Sequence, residues 1–170
     1  QQWQDTVALD KGSHLTTKEQ ADNIIAAGML GFDEFPLLQV DGHNLVDELA
    51  VVRYLARKHG RYGADSVEAA QIDVLSDGVR FLQTDDKAQH DAYLPRFQRA
   101  LAGKQFLVGM AWSFVDVQLF KAVDDMVAKA GRQFLKQYPA VMAHYDKVVS
   151  TPELLVYLSS GQRFARPGRE

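Results

Sequence analysis

Cysteine is absent from this chain of 170 residues. No disulfide framework, Cys-ligated zinc or Cys nucleophile is available among the residues shown, and a chain without thiols fits a reducing, cytoplasmic setting. Long apolar runs are missing too: none reaches the roughly 18 residues that span a bilayer, so no membrane partner is expected. Basic residues never cluster, and the formal net charge is -3. A nucleic-acid binder concentrates Lys and Arg on one face, so that class is set aside. The five histidines, at 14, 43, 59, 90 and 144, show no metal-ligand spacing, and no metal site is expected. No internal repeat and no low-complexity segment is visible. What remains is ordinary for a globular protein, 46% hydrophobic and 24% charged, with enough apolar material for a sizeable core.

Along the chain the patterns change near residue 60. Apolar Trp3, Val7 and Leu9 beside β-branched Thr6 predict a strand over residues 3–9. Thr16 or Thr17 caps a short helix reaching Ile25, which Ala27-Gly28 ends. Pro36 precedes the apolar run Leu37-Leu38-Gln39-Val40, suited to a buried strand. Asp41-Gly42 tolerates the positive φ of a tight hairpin, and His43 to Val46 is the return strand. Asp47 or Glu48 opens a helix bearing Leu49, Val51, Val52 and Leu55. Arg57, Lys58 and His59 crowd its last turn and Gly60 ends it, so acids at the start and bases at the end suit the helix dipole.

From Ser66 onward no strand pattern returns. Ile72, Leu75, Val79 and Leu82 step by helical intervals. Tyr93, Leu94, Phe97 and Leu101 mark a second helix, and Gly103 and Gly109 bracket a loop. Ser113-x-x-Asp116 has capping-box spacing before an apolar helix through Val127. Tyr138-Pro139 starts a helix with Val141, Tyr145 and Val148. Thr151-Pro152 starts another, with Thr as N-cap, and Gly161 lies beyond its end. The expected organisation is an α/β domain over 1–60, a linker over 61–65 and an all-helical domain over 66–170.

Three of these segments resemble cytosolic glutathione transferases. Phe32-Asp33-Glu34-Phe35-Pro36-Leu37-Leu38-Gln39-Val40-Asp41-Gly42 is similar to the family's strand and hairpin, where the strand follows a cis-proline. Leu45 to Gly60, ending V-V-R-Y-L-A-R-K-H-G, resembles its next helix. Leu107-Val108-Gly109 with Ser113-Phe114-Val115-Asp116 resembles the capped helix of its helical domain. Tyr62-Gly63 and Asp73 to Val79 are most similar to the pi, alpha and sigma branch. The likeness covers nearly the whole chain. It implies an α+β fold, a thioredoxin-like glutathione-binding domain followed by an all-helical domain, and a homodimer.

In the family, the first strand lies between the second and third. Residues 3–9 match the second strand, so the thioredoxin-like domain is expected to be incomplete here, with one strand and helix of about 25–30 residues upstream. Without a central strand, its neighbours leave buried backbone groups unpaired, at about 1–3 kcal/mol each. The family's thiol-activating group, usually a Tyr ending that first strand, matches no residue shown. Tyr54, Tyr62 and Tyr93 are not taken in its place, so no catalytic residue is assigned.

The resemblance nevertheless assigns a binding site. The residue before the cis-proline, Phe35, offers its backbone to the cysteinyl part of glutathione, as an added strand does; Pro36 fixes that edge. Asp47 and Glu48 stand where the family has Gln or Glu followed by Ser, whose hydroxyl and helix N-terminus hold the γ-glutamyl carboxylate. Glu48 in place of Ser is a departure, since two carboxylates repel. Three outcomes stay open: Glu48 swings away and backbone amides bind, the site takes a cationic or amide-bearing thiol, or binding is lost. The same acids also read simply as helix caps. Phe81 stands where some relatives carry an Asp that reaches the partner subunit's ligand. Arg80, Phe81 and Thr84 are the candidate electrophile cleft. Phe32 resembles the aromatic key that enters the other subunit. Lys11 and Lys18 are within reach of the glycyl carboxylate only on an insecure alignment. Ser113 and Asp116 read as a cap, not a catalytic pair.

The function expected is conjugation of glutathione, or a related thiol, to a hydrophobic electrophile, with glutathione as co-substrate and no other cofactor. The alternative, favoured by Glu48 and Phe81, is a non-catalytic relative: a ligand carrier, a structural protein or an assembly module.

Overall fold

A computed structural model describes residues 8–9, 18–32 and 35–160. The chain divides into two compact units, Gln1–His59 and Gly60–Glu170. The first holds strand β1 (Ala8–Leu9), helix α1 (Lys18–Ala26), strands β2 (Leu37–Val40) and β3 (His43–Val46), and helix α2 (Glu48–Lys58). The second holds α3 (Ser66–Arg80), α4 (Lys87–Ala100), α5 (Phe114–Ala130), a 3-10 segment (Arg132–Gln137), α6 (Pro139–Val149) and α7 (Pro152–Ser159).

In the first unit, Asp41 and Gly42 have φ of 47° and 77°. Positive φ at both central residues is the turn that matches strand twist, so β2 returns at once as β3 with Val40 opposite His43 and Leu37 opposite Val46. Leu37 and Leu38 are adjacent yet both buried, so β2 is covered on both faces. Leu38, Val40 and Val51 form a core against which Leu45, Tyr54 and Leu55 pack. Burying such a side chain is worth about 1.5–3 kcal/mol.

The sheet differs from expectation. Ala8 pairs with Leu38 and Leu9 with Leu37, antiparallel, so among the described residues the order is β1-β2-β3. Buried backbone donors and acceptors of β2 take the extended segment available to them. Residues 3–7 of the expected strand, the expected caps Thr16 and Thr17, and Lys11 lie outside the described residues.

The helical unit is built on carboxylate caps. Asp65 accepts hydrogen bonds from Val67 N and Glu68 N to start α3, and Asp86 accepts one from Ala88 N to start α4. Residues 61–65, linker-like in composition, are held by this unit: Arg61 O accepts from Phe114 N at 3.0 Å. Gly63, at φ +85°, lies so close to α3 that a Cβ there would meet Glu68 Cβ at 2.8 Å. Arg61 also stacks over Trp112 at 4.0 Å. Two helix ends shift from expectation. Helix α3 stops at Arg80, with Leu82 buried in the turn beyond it, and α5 runs on to Ala130 before Gly131 at φ 76°. Thr151 precedes α7 without a side-chain cap, because its hydroxyl donates back to Lys147 O.

Asp116 is wholly buried and has more partners than a cap needs. Its carboxylate accepts from Leu107 N at 2.9 Å, Ser113 N at 2.8 Å, Ser113 Oγ at 3.0 Å and His144 Nε2 at 2.9 Å. A carboxylate among so many donors is an acceptor, so the His144 tautomer carries its hydrogen on Nε2. One residue on, Tyr145 OH donates to buried Asp124 at 2.8 Å. Consecutive residues of α6 thus grip two acids of α5.

At the far end of α5, Lys129 meets exposed Asp85. That lysine lowers the Asp85 pKa by donating a hydrogen bond and by its charge. Asp116→Ala strands four donors, three of them on the backbone or His144, and is expected to cost at least about 3 kcal/mol in urea denaturation. Lys129→Ala, which breaks a solvent-screened pair, is expected to leave the same midpoint unchanged.

Candidate functional site

The hairpin register assembles the first group of candidates. Leu37 pairs with Val46, so the next residues outward, Pro36 and Asp47, flank the open end of the hairpin. Phe35 and Glu48 follow one step further out. The Phe35–Pro36 peptide is cis, and both residues are half-buried. Four candidates separated in sequence therefore meet at one end of β2 and β3, beside the N-terminus of α2.

Asp47 sits there in an unusual conformation. Its φ is 78° and its ψ 130°, a region that residues other than glycine avoid. Holding an L-residue there costs on the order of 1–3 kcal/mol. Its Oδ1 accepts from Ala50 N at 2.9 Å, so the carboxylate already occupies a first-turn amide of α2. Glu48 is the first helical residue and is exposed. The site's chemistry follows: the N-terminus attracts anions, but one carboxylate is built in and a second stands beside it.

The other candidates lie in the helical unit. Arg80 ends α3, and Phe81 follows it, 41% exposed. One face of Phe81 stacks on Tyr93, with ring centres 4.4 Å apart and planes 15° apart, and Arg96 covers Tyr93 from 4.3 Å. Thr84 Oγ1 donates to Phe81 O at 3.1 Å, tying the turn to the ring's own backbone. Arg80, Phe81 and Thr84 are thus neighbours on one exposed turn.

The three set-aside tyrosines have other work. Tyr54 packs on the core of the first unit, with Lys58 Nζ 5.8 Å from its ring centre. Tyr62 is buried and its hydroxyl donates to both oxygens of Asp73, at 2.7 and 2.8 Å. Tyr93 lies between Phe81 and Arg96. Phe32 is 80% exposed. Lys18 begins α1. Sequence reasoning did not find the positive φ of Asp47, although Asp is among the residues that tolerate it and two adjacent turns fall within seven residues. It also did not find the partnership of His144 with Asp116, which lie 28 residues apart.

Residues 81–161 match the family model for the glutathione S-transferase C-terminal domain. The chain is 30% identical over 168 residues to a glutathione S-transferase of Antechinus stuartii, covering 86% of this chain and 75% of that one. It is 29% identical over 170 residues to glutathione S-transferase 3 of Gallus gallus, covering 88% and 74%. The solved structure of a Nu-class enzyme of the same name from Haemonchus contortus superposes with a TM-score of 0.74 at 27% identity, over 89% of this chain and 83% of that one. The chain belongs to the glutathione S-transferase family. Its α+β class is that of the family, a thioredoxin-like unit followed by an all-helical one.

The double duty of Asp47 sets an order of stabilities. Asp47→Ala keeps the strained backbone and loses the cap, and is expected to cost about 1 kcal/mol or more in chemical denaturation. Asp47→Gly relieves the strain and is tolerated as a cap, so its cost is expected to be a few tenths of a kcal/mol at most.

Proposed function

We propose that this protein conjugates glutathione, or a closely related thiol, to a hydrophobic electrophile. The observation that carries this reading is the meeting of Phe35-Pro36 with the α2 N-terminus at the open end of one hairpin. Such an end offers extended backbone to a peptide and first-turn amides to its carboxylate. Phe35 supplies the backbone contact to the cysteinyl residue, beside Pro36. Asp47 and Glu48 face the γ-glutamyl end. The reaction loses the thiol proton to solvent and forms a bond from sulfur to the electrophilic carbon, whose leaving group departs with its electron pair. The protein's share is to favour the thiolate and align it; no metal or redox cofactor enters. Arg80, Phe81 and Thr84 take the electrophile, Phe81 by its exposed ring. Phe32, an exposed aromatic, is the anchor of a homodimer. The proposed setting is the cytoplasm, and among the described residues no helix is long and apolar enough to cross a membrane.

Retention on immobilised glutathione together with turnover of a chlorodinitrobenzene-type electrophile is the expected result. Failure of both by a stable dimer supports the second reading, a carrier, structural or assembly protein. The specific observation behind that reading is the pair of acids at the α2 N-terminus. Their charge makes a sharper test. Asp47→Asn keeps a capping oxygen and Glu48→Ser removes the second charge. By calorimetry the double variant is expected to bind glutathione roughly tenfold tighter than the wild type, about 1.4 kcal/mol. Equal affinity would mean that neither acid faces the ligand.

A further inference from the structure

Methionine carries all the sulfur in this sequence, since cysteine is absent and methionine occurs four times. All four positions are described, and the fold gives them unequal surroundings. Met110 is 97% exposed, whereas Met126 of α5 is 7% exposed in the core. Met29 and Met142 are half-buried. A thioether therefore stands fully in water at one position.

The loop holds it there from both sides. Before Met110, Phe106, Leu107 and Val108 are buried. After it, Trp112 lies under Arg61, 4.0 Å from the guanidinium to the ring centre. Leu107 N and Ser113 N, one on each flank, both donate to the buried carboxylate of Asp116. Gly109, at φ +67°, backs onto Glu68, where a Cβ would meet Oε1 at 3.2 Å. Both flanks are anchored inward, so residue 110 is left at the crest of the loop. At 97% exposure its side chain has almost no surface left for packing.

We propose that Met110 is a reversible oxidation site that takes one oxygen from a hydroperoxide. Its sulfur lone pair attacks one peroxide oxygen. The S–O bond forms as the O–O bond breaks, and the proton of the transferred oxygen moves to the leaving one, giving water from hydrogen peroxide or an alcohol from an organic hydroperoxide. Sulfur is oxidised by two electrons and the peroxide is reduced by two. No thiolate in this sequence competes for the oxidant. The sulfoxide is polar, which water at the crest accommodates and the core around Met126 does not. Oxidation at Met110 therefore leaves the fold as it is. A methionine sulfoxide reductase restores the thioether: the sulfoxide oxygen leaves as water while two reductase thiols close a disulfide. This chemistry is independent of the proposed conjugation.

The test is timed exposure of the folded protein to dilute hydrogen peroxide, followed by fragment mass spectrometry and thermal unfolding. The first change expected is a gain of about 16 Da at Met110, one oxygen, with Tm unchanged and the mass returned by methionine sulfoxide reductase. That reversal separates the thioether from Trp112. Met110→Leu is expected to remove this first gain, and a fall in Tm is expected only after longer exposure, together with oxygen at Met126. Oxidation of Met29, Met142 or Met126 as fast as Met110 would overturn the proposal. So would an undiminished first gain in Met110→Leu, or a lower Tm when only Met110 carries oxygen.

Discussion

Two residues with positive φ, Asp41 and Gly42, let β2 turn straight back as β3, and the register they set decides where the candidate site lies. Side chains alternate with a period of two, so a slip of one residue would send the buried set of the hairpin to the opposite face. It would also part Pro36 from Asp47, which face each other only because Leu37 pairs with Val46. Leu37 and Leu38 are both buried, one on each face of β2, so the packing on both sides is fitted to this register. Packing and turn chemistry thus select one register, and that register brings the cis-proline edge to a helix N-terminus.

On the proposed reading, folding and ligand binding make competing demands at that N-terminus. A capped α2 is better served by a carboxylate, and Asp47 supplies one to Ala50 N. A γ-glutamyl carboxylate wants the same amides and the same end of the dipole. Asp47 holds its place through a backbone conformation that costs energy, so something beyond helix propensity fixes it there. On the proposed reading, that strained residue presents backbone to the ligand while its side chain serves the helix. Glu48, exposed and unneeded for the cap, adds the charge that a glutathione site least requires.

Much of the fold was legible because it is local. The hairpin follows from Asp41-Gly42 between apolar runs, α2 from its terminal charges, and the start of α5 from Ser113 and Asp116. What was hidden depends on contacts far apart in sequence. Nothing local tells His144 that its neighbour is Asp116, or Trp112 that Arg61 will cover it. The direct pairing of β1 with β2 belongs to the same class, since strand order is a tertiary choice. At the site, residue identities were readable but conformation was not: Asp47 looks like any acidic cap until its φ is known.

Family likeness and site chemistry therefore carry different information. The motifs on which the family resemblance was read are ones that build the scaffold: the proline before β2, the hairpin, the basic end of α2, the buried acid that joins α5 to α6. Each is held by a folding requirement whatever ligand is bound. The positions where the chain departs, Glu48 and Phe81, stand on exposed surface where folding asks little of them. A fold constrains its ligand only through the groups that touch it. Hence 30% identity to a relative is compatible with a conjugating enzyme and with a carrier. The two acids beside Pro36 bear directly on the distinction, because their charge acts on an anion at the α2 N-terminus whereas the core contacts do not.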